Sequence, residues 1–191
     1  MRDSFVDDGL RYVYCAIPKV SCSTWKTVLL RLTGKIQPNR TEDLSTFDVH
    51  DRSFKEQYLP TFDMYRPDEI RYRIDNYYKF LFVREPFKRL VSAYLDKFVR
   101  TSSYQKLVGV IIVKRYRQHP TEEALEKGND VTFEEFVRLI LDPEVRAMRT
   151  YDVHWRPYYE SCHPCHIKYD FIGKFETLHE DAAYVLNRFY S

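Results

Sequence analysis

Apolar residues recur along the chain in two patterns, as short continuous runs and as stripes with helical spacing. Continuous runs at residues 11–17, 79–83 and 169–174 predict three buried strands. Helical spacing follows two of these runs, at residues 24–33 and from Pro86 onward, where proline suits a first helical turn. Strands that alternate with helices predict an α/β fold with a largely parallel central sheet flanked by helices.

Four further helices are predicted from periodicity and from start signals. They cover residues 70–78, 103–118, 132–141 and 177–189, and the last two begin with a Thr-x-x-Glu capping box. Residues 35–68 are polar with scattered prolines, which predicts irregular structure. The helix that begins at Pro86 is predicted to bury one stripe, formed by Phe87, Leu90, Val91, Tyr94 and Phe98.

The composition bounds the class of protein. At 191 residues, we expect one domain over residues 1–191. The chain is 44% hydrophobic and 30% charged, which excludes a disordered chain. Its 30 basic residues nearly cancel its 28 acidic ones, so only local clusters of charge inform about partners. No run approaches the roughly 20 apolar residues of a membrane span, and this leaves open a soluble protein or a fragment of an anchored one.

Four cysteines occur in two pairs, Cys15 with Cys22 and Cys162 with Cys165. Disulfides within the pairs, disulfides between the pairs and buried thiols are all compatible with this spacing. A four-thiolate zinc site is disfavoured, because zinc ligands usually lie two to four residues apart and six residues separate Cys15 from Cys22. One glycosylation sequon occurs, Asn39-Arg40-Thr41.

The turn after the first strand carries a lysine and three hydroxyl side chains. It lacks the glycines and the Gly-Lys-Ser/Thr ending of a Walker A loop. Its place at a helix start nonetheless predicts an anion site, because backbone N–H groups of residues 21–25 point out of the helix. An ordinary helix cap by Ser23 or Thr24 is the alternative. The predicted contacts here are Pro18, Lys19, Val20, Ser21, Cys22, Ser23, Thr24 and Trp25.

The turn after the second strand has the same character. Arg84 ends that strand at its carboxyl edge, where open α/β sheets bind ligands, and its planar fork suits a phosphate. Ser92 lies two helical turns further on, and the alternative is a surface pair of Arg84 with Glu85 beside an exposed Ser92. Two such turns predict one ligand with anionic groups at both ends. The predicted contacts here are Arg84, Glu85, Pro86, Phe87, Lys88, Arg89, Leu90, Val91 and Ser92.

Both turns resemble the two nucleotide-binding motifs of carbohydrate sulfotransferases, in the group of the chondroitin and dermatan 4-O-sulfotransferases and the HNK-1 sulfotransferase. The first is similar to that family's 5′-phosphosulfate motif and the second to its 3′-phosphate motif. Residues 154–165, followed by 169–174 and 176–181, also resemble the family. The resemblance runs from about Arg11 to the C-terminus, and residues 66–73 look most like the dermatan member.

This resemblance implies a P-loop-like sulfotransferase fold and the sulfate donor 3′-phosphoadenosine 5′-phosphosulfate (PAPS), with no metal. The implied acceptor is a glycosaminoglycan or a glycoprotein glycan, at the 4-hydroxyl of N-acetylgalactosamine (GalNAc) in chondroitin or dermatan sulfate. A glucuronic acid 3-O-sulfotransferase of the HNK-1 type is the alternative. The resemblance also implies a type II membrane protein of the Golgi lumen, whose anchor lies outside this chain.

Residue roles follow from the resemblance and from the chemistry of in-line sulfuryl transfer. Lys19 would neutralise charge on the leaving 5′-phosphate, and Arg84 with Ser92 would hold the 3′-phosphate. His50 is the expected general base, with the neighbouring aspartate as a candidate to orient it, and His154 is its rival. A basic stretch could meet an anionic glycan through Lys97, Arg100, Lys106, Lys114, Arg115 and Arg117.

Three other classes of protein remain as alternatives. A nucleic-acid-binding module would use the basic helix at 103–118, but the near-neutral total charge disfavours nucleic acid as a partner. A nucleotide kinase would need the phosphate-loop glycines that the first turn lacks. A non-catalytic glycan-binding relative would have lost Lys19 or the base, and Lys19 is present.

Overall fold

A computed structural model describes residues 3–34, 51–147 and 152–190 of the chain. The chain divides into two compact units. The first unit combines residues up to Glu85 with those from Arg156 onward, and the second unit comprises residues from Pro86 to Trp155. Each unit has a hydrophobic core of its own. The expectation of one domain over residues 1–191 stays a prediction.

The first unit begins with a strand pair, a helix and a second α/β segment. Its elements up to Val83 are β1 Ser4–Asp7, β2 Tyr12–Cys15, α1 Cys22–Leu32, α2 Arg52–Tyr58, a 3₁₀ turn Phe62–Met64, α3 Pro67–Asn76 and β3 Tyr78–Val83. The helix α2 lies in a region for which irregular structure was predicted, so that prediction is wrong for residues 52–58.

The second unit is helical in its described part. Its elements are α4 Pro86–Tyr94, a π-helical turn Leu95–Arg100, α5 Ser102–Tyr104, a π-helical turn Gln105–Gly109, α6 Val110–Tyr116, α7 Glu122–Lys127, α8 Phe133–Leu141 and α9 Pro143–Ala147. The chain then returns to the first unit through α10 Tyr158–Cys162, β4 Phe171–Lys174, a 3₁₀ turn Phe175–Thr177 and α11 Leu178–Tyr190.

Among these helices, none combines the length and the apolar composition needed to cross a bilayer. The capping box predicted for α8 is present, since the Glu135 N–H donates to the Thr132 hydroxyl at 3.2 Å and the Thr132 N–H donates to the Glu135 carboxylate at 2.9 Å. At the start of α11 the Thr177 hydroxyl donates instead to Asp181 at 2.8 Å. The long helix predicted at 103–118 is divided by a π-helical turn.

The four strands form one sheet in the order β1-β2-β3-β4. The strands β2, β3 and β4 are parallel, with Tyr12 opposite Tyr78 and Phe80 opposite Phe171. The strand β1 pairs antiparallel with β2. This confirms the predicted α/β fold with a largely parallel sheet. The strand β1 was not predicted, because its sequence Ser-Phe-Val-Asp ends in polar residues, although all four are buried.

The core of the first unit is a cluster of aromatic rings on β2, β3 and α1. Tyr14 stacks on Phe80 with ring centroids 4.9 Å apart, and Trp25 lies 4.8 Å from Phe82. Leu29 on α1 is fully buried in the same cluster. Burial along the whole length of β2 and most of β3 explains why these strands read as continuous apolar runs rather than alternating ones.

The core of the second unit is formed by rings from the π-helical turn, α8 and the end of the unit. Phe98 lies 5.1 Å from Phe136, and Phe136 lies 5.2 Å from Trp155. Ile112 and Val113 of α6 are fully buried beside them. A helical cluster of this kind agrees with the 3.6-residue periodicity of this part of the sequence.

The apolar stripe predicted on α4 is only partly buried. Leu90 and Tyr94 pack against the core of the second unit, and Phe98 is 1% exposed. Phe87 is 77% exposed and Val91 is 41% exposed, so the prediction that they are buried is wrong. The core contacts one edge of the stripe only, and these two side chains lie on the other edge.

Candidate functional site

The turn between β2 and α1 has an unusual backbone. Lys19 and Ser21 have φ angles of 71° and 67°, in the left-handed region that favours glycine. Ser21 is the N-cap of α1, and its side chain makes no capping hydrogen bond. The first helical bond of this turn runs from the Trp25 N–H to the Ser21 carbonyl at 3.0 Å. The alternative interpretation, an ordinary cap by Ser23 or Thr24, is therefore not what the structure shows.

This backbone is suited to holding an anion. Turns that combine right-handed and left-handed residues direct successive N–H groups into one concavity, and the positive end of the α1 dipole lies at the same place. A left-handed conformation costs an L-residue about 1–2 kcal/mol, and two such residues lie within three positions here. Strain of this kind is concentrated at ligand-binding sites.

Arg84 follows β3 directly and reaches the same turn. One of its terminal nitrogens donates to the Lys19 carbonyl at 3.4 Å, and its guanidinium lies 4.4 Å from the centre of the Phe175 ring. The Tyr158 hydroxyl accepts from the Arg84 N–H at 3.1 Å and donates to the Arg84 carbonyl at 2.7 Å. Arg84 is thereby fixed through both its backbone and its side chain.

One nitrogen of this guanidinium lacks an acceptor among the described residues. The Nε atom of Arg84 is buried and has no hydrogen-bond partner within the described part of the chain. A buried donor without an acceptor is costly, and an anion bound beside the turn would satisfy it. The structure thus brings the Lys19 turn and Arg84 together at the carboxyl ends of adjacent parallel strands, as the sequence predicted. Their binding roles stay predictions.

Three residues that support this site were not predicted. They are Tyr158, which holds the Arg84 backbone, Phe175, which supports its guanidinium, and Glu176, whose carboxylate accepts from the Glu85 N–H at 2.9 Å. All three lie far along the chain from Arg84. Tyr158 and Glu176 belong to the third region of family resemblance, which was the only signal that pointed to them.

A pocket of about 190 Å³ opens beside the same turn, between α1 and α11. Its walls are mostly apolar, while two hydroxyl residues of the turn form part of its lining. A flat aromatic group attached to an anion would suit this combination. The lining residues are Ser21, Thr24, Trp25, Val28, Leu178, His179, Ala182 and Leu186.

Most of the second predicted motif lies in the second unit. Pro86 is the first residue of α4, and the next two residues are exposed. Arg89 is 5% exposed and donates to the Val153 carbonyl at 3.3 Å, so it holds the second unit together. Ser92 is half-buried on α4. Its contact with a 3′-phosphate stays a prediction.

The structure describes only one of the two candidate general bases. His50 lies outside the described residues. Asp51, which was the candidate to orient His50, accepts from the Ser53 hydroxyl at 2.5 Å and from the Phe54 N–H at 3.0 Å at the start of α2. His154 lies in the second unit, where its Nδ1 is 2.5 Å from an Asp152 carboxylate oxygen.

Of the cysteine pairings left open, the structure shows one disulfide between the two pairs. Cys15 at the end of β2 is bonded to Cys162 at the end of α10. Cys22 is a buried thiol and Cys165 an exposed one. The disulfide ties α10, which carries Tyr158, to the strand that precedes the Lys19 turn. In the described part of the chain, no group of three His, Cys, Asp or Glu residues is placed to hold a metal ion.

The predicted glycan-binding basic stretch is divided between paired and exposed side chains. Arg115 forms ion pairs with Asp142 at 2.7 Å and with Glu144 at 2.6 Å. Arg117 is likewise paired with two acidic residues. Ion pairs within the unit make these two arginines poor candidates for glycan contacts. Lys97 is paired with Asp96 at 3.2 Å, and the prediction still applies to the exposed side chains of Arg100, Lys106 and Lys114.

The chain matches one protein-family model and several known proteins over nearly its whole length. The family model described as "Sulfotransferase family" matches residues 2–190. The chain is 43% identical over 188 residues to "Carbohydrate sulfotransferase 11" of Rattus norvegicus, covering 97% of this chain and 52% of the relative. It is 42% identical over 186 residues to "Carbohydrate sulfotransferase 14" of Homo sapiens, covering 97% and 46%.

A third relative is similar to the same degree. The chain is 44% identical over 184 residues to "Carbohydrate sulfotransferase 8" of Homo sapiens, covering 96% of this chain and 42% of the relative. The chain thus spans about half the length of the relatives it matches. No solved structure gives a significant match.

Proposed function

The chain belongs to the sulfotransferase family, and on that premise we propose that it transfers a sulfuryl group from PAPS to a hydroxyl group of a glycan. One observation carries the proposal. The left-handed turn at Lys19 and Ser21 forms an anion cradle at the start of α1, and Arg84 is bonded to the same turn with a buried nitrogen lacking a protein acceptor among the described residues. A donor with two separate anionic groups suits this arrangement.

The residues fit the parts of the donor as follows. The cradle receives the 5′-phosphosulfate, and Lys19 neutralises the charge that grows on the leaving phosphate as the sulfuryl group departs. Arg84 offers its unpaired Nε to the 3′-phosphate, while one of its terminal nitrogens stays bonded to the Lys19 carbonyl. The pocket between α1 and α11 receives the adenine, since it is apolar and shares Ser21 with the cradle.

The acceptor in this proposal is the 4-hydroxyl of GalNAc in chondroitin or dermatan sulfate. The motif resemblance described above supports this choice. Relatives named carbohydrate sulfotransferases 11, 14 and 8 are 42–44% identical to the chain, a range too narrow to rank one acceptor over another. Transfer to the 3-hydroxyl of glucuronic acid, as in the HNK-1 type, is the competing assignment.

We also propose that the full-length protein is a type II membrane protein of the Golgi lumen. The disulfide between Cys15 and Cys162 supports an oxidising compartment, where such bonds persist. Digestion of sealed Golgi vesicles with protease tests the location. Protection of the catalytic chain until detergent is added would support the lumen, and digestion without detergent would contradict it.

A transfer assay tests the activity. The protein is incubated with PAPS and with desulfated chondroitin, desulfated dermatan or an oligosaccharide ending in glucuronic acid, and the products are mapped by mass spectrometry. We expect sulfation of GalNAc in the first two. Sulfate on glucuronic acid alone would favour the HNK-1 type. Binding of nucleic acid with a steep salt dependence and no transfer would favour a nucleic-acid-binding module.

The role of Lys19 is tested in the same assay. The Lys19→Ala variant is expected to lose at least about 100-fold in kcat, because one electrostatic contact to developing charge is worth that much. Its affinity for 3′-phosphoadenosine 5′-phosphate (PAP) is expected to change only a few-fold. Lys168→Ala is the matched control, since Lys168 is exposed in the same unit. Unchanged turnover in Lys19→Ala would remove Lys19 from the reaction.

A further inference from the structure

Several contacts converge on Arg84, the arginine at the end of β3. It follows Val83, the last residue of β3 that pairs with β4. Backbone polar groups at the end of a strand need partners from outside the ladder. The Tyr158 hydroxyl serves both backbone groups of Arg84, because it accepts from the N–H at 3.1 Å and donates to the carbonyl at 2.7 Å. A single side chain therefore fixes the backbone from which the guanidinium projects.

Tyr158 is itself held in place within the first unit. It is the first residue of α10, and its ring packs against the hydrophobic core of that unit. At the other end of α10, the disulfide joins Cys162 to Cys15 on β2, and the Tyr169 hydroxyl donates to the Cys162 carbonyl at 2.8 Å. The short helix that presents the Tyr158 hydroxyl is thus anchored to the central sheet.

The guanidinium of Arg84 is held by two further contacts. Its central carbon lies 4.4 Å from the centre of the Phe175 ring, and a terminal nitrogen donates to the Lys19 carbonyl at 3.4 Å. The backbone of the next residue is held as well, since the Glu176 carboxylate accepts from the Glu85 N–H at 2.9 Å. The backbone, one face and one terminal nitrogen of the same arginine are thereby fixed before a ligand binds.

These contacts do not extend to the Nε atom of Arg84. That atom is buried and has no acceptor among the described residues. An arginine that only braced the fold would have its buried donors satisfied, because an unmet buried donor is costly. An arginine that is rigidly held and still lacks one acceptor is instead organised in advance for an anion, and less side-chain entropy is lost when that anion binds.

We propose that Tyr158 and Phe175 are specificity-determining positioning residues, which hold Arg84 so that the protein selects nucleotides with a 3′-phosphate over nucleotides without one. This inference rests on the proposed function, in which Arg84 receives that phosphate. Tyr158 fixes the direction in which the side chain leaves β3, and Phe175 fixes the plane of the guanidinium. Both residues act through Arg84, and all three belong to the first unit.

The first test removes the Tyr158 hydroxyl and keeps its ring. By calorimetry, Tyr158→Phe is expected to bind PAP about fivefold more weakly, the value of one net hydrogen bond, while its affinity for AMP changes little. Tyr159→Phe is the matched control, because Tyr159 lies on the same helix and is 59% exposed. It is expected to keep the full preference for PAP. An equal loss of PAP and AMP affinity in Tyr158→Phe would indicate a purely structural role and would overturn the inference.

The second test removes the aromatic face beside the guanidinium. Phe175→Leu keeps apolar bulk, and its preference for PAP over AMP is expected to fall about two- to fivefold, as for an exposed contact between a cation and a ring. Phe189→Leu is the control, because it removes a ring that packs near Phe80 in the core of the same unit. It should lower the melting temperature and leave the preference unchanged. An equal loss of preference in the two variants would overturn the role of Phe175.

The third test asks whether the Tyr158 hydroxyl acts through the Arg84 side chain. Arg84→Ala removes the guanidinium, so adding Tyr158→Phe to that variant is expected to cause no further change in the ratio of PAP affinity to AMP affinity. A further fall of the ratio in the double variant would overturn the inference.

Kinetics of the transfer reaction separate this role from that of Lys19. In Tyr158→Phe, KM for PAPS should rise about fivefold with kcat little changed, because the weakened contact is remote from the reacting centre. A fall in kcat at unchanged KM would overturn the inference. If the unmodified protein prefers PAP and Tyr158→Phe keeps that full preference, this inference fails and the proposed function stands. If the unmodified protein binds PAP and AMP alike, both fail.

Discussion

Replacing Lys19 by glycine separates the stability of the fold from its function. Lys19 has a φ angle of 71°, which costs an L-residue about 1–2 kcal/mol. Glycine removes that cost but loses about 0.5–1 kcal/mol more backbone entropy on folding than alanine does. The difference predicts that Lys19→Gly is more stable than Lys19→Ala by about 0.7 kcal/mol. Comparing glycine with alanine at one position removes the contribution of the lysine side chain itself.

Urea denaturation of the two variants measures this difference, and an exposed helical site provides the control. Ala183 lies within α11 with normal helical geometry, so Ala183→Gly is expected to lose about 1 kcal/mol of stability. Glycine should thus be the better residue at position 19 and the worse one at position 183. If glycine were also worse than alanine at position 19, the assignment of strain to the turn would be refuted.

Turnover of the same variants shows what the strain is for. Both Lys19→Gly and Lys19→Ala lack the ammonium group, so both are expected to lose transfer activity to a similar extent. A more stable but inactive Lys19→Gly would be a stability–activity trade-off at a binding turn. If Lys19→Gly retained turnover, the strain would serve no purpose in the reaction.

The remaining predictions concern stability. The disulfide between Cys15 and Cys162 closes a loop with a sequence separation of 147, for which chain entropy alone gives about 5 kcal/mol as an upper value. Replacing both by alanine should lower the urea midpoint strongly, whereas Cys165→Ala should leave it unchanged; equal midpoints would contradict the pairing. A hydrogen bond from Arg117 sets the pKa of Glu135 in the folded protein below its usual value. The stability that this pair contributes is therefore complete above the unfolded-state pKa of about 4.3, and it is lost as the pH falls through the lower pKa of the folded state. Glu135→Gln should flatten that acidic limb of unfolding free energy against pH, and an unaltered limb would count against the pair.

The elements that could be predicted from sequence are those with a strong local pattern. The buried strands β2 and β3 are continuous apolar runs, and α8 has both periodicity and a capping box. The strand β1 and the helix α2 are short and rich in polar residues, so periodicity does not distinguish them from loops. Their conformation depends on partners elsewhere in the chain.

The residues of the candidate site likewise include some that the local sequence pattern predicts and some that it does not. Lys19 and Arg84 could be predicted because each lies in the turn after a strand and the carboxyl ends of parallel strands share one sheet edge. The pairing of Cys15 with Cys162 and the support of Arg84 by Tyr158 join residues far apart in sequence, and no local spacing reports such contacts. Periodicity likewise overstated the burial of side chains on α4, because it defines a stripe but not which edge of the stripe meets the core.

The central claim is that one nucleotide is held by the Lys19 turn and by Arg84. Calorimetry with PAP and with AMP tests it most directly, because the two ligands differ by the 3′-phosphate alone. We expect the unmodified protein to bind PAP at least about tenfold more tightly than AMP, since a charge-assisted bidentate contact is worth that much. The preference should shrink in Arg84→Lys, which lacks the planar fork, and vanish in Arg84→Ala. Equal affinity of the unmodified protein for PAP and AMP would contradict the account.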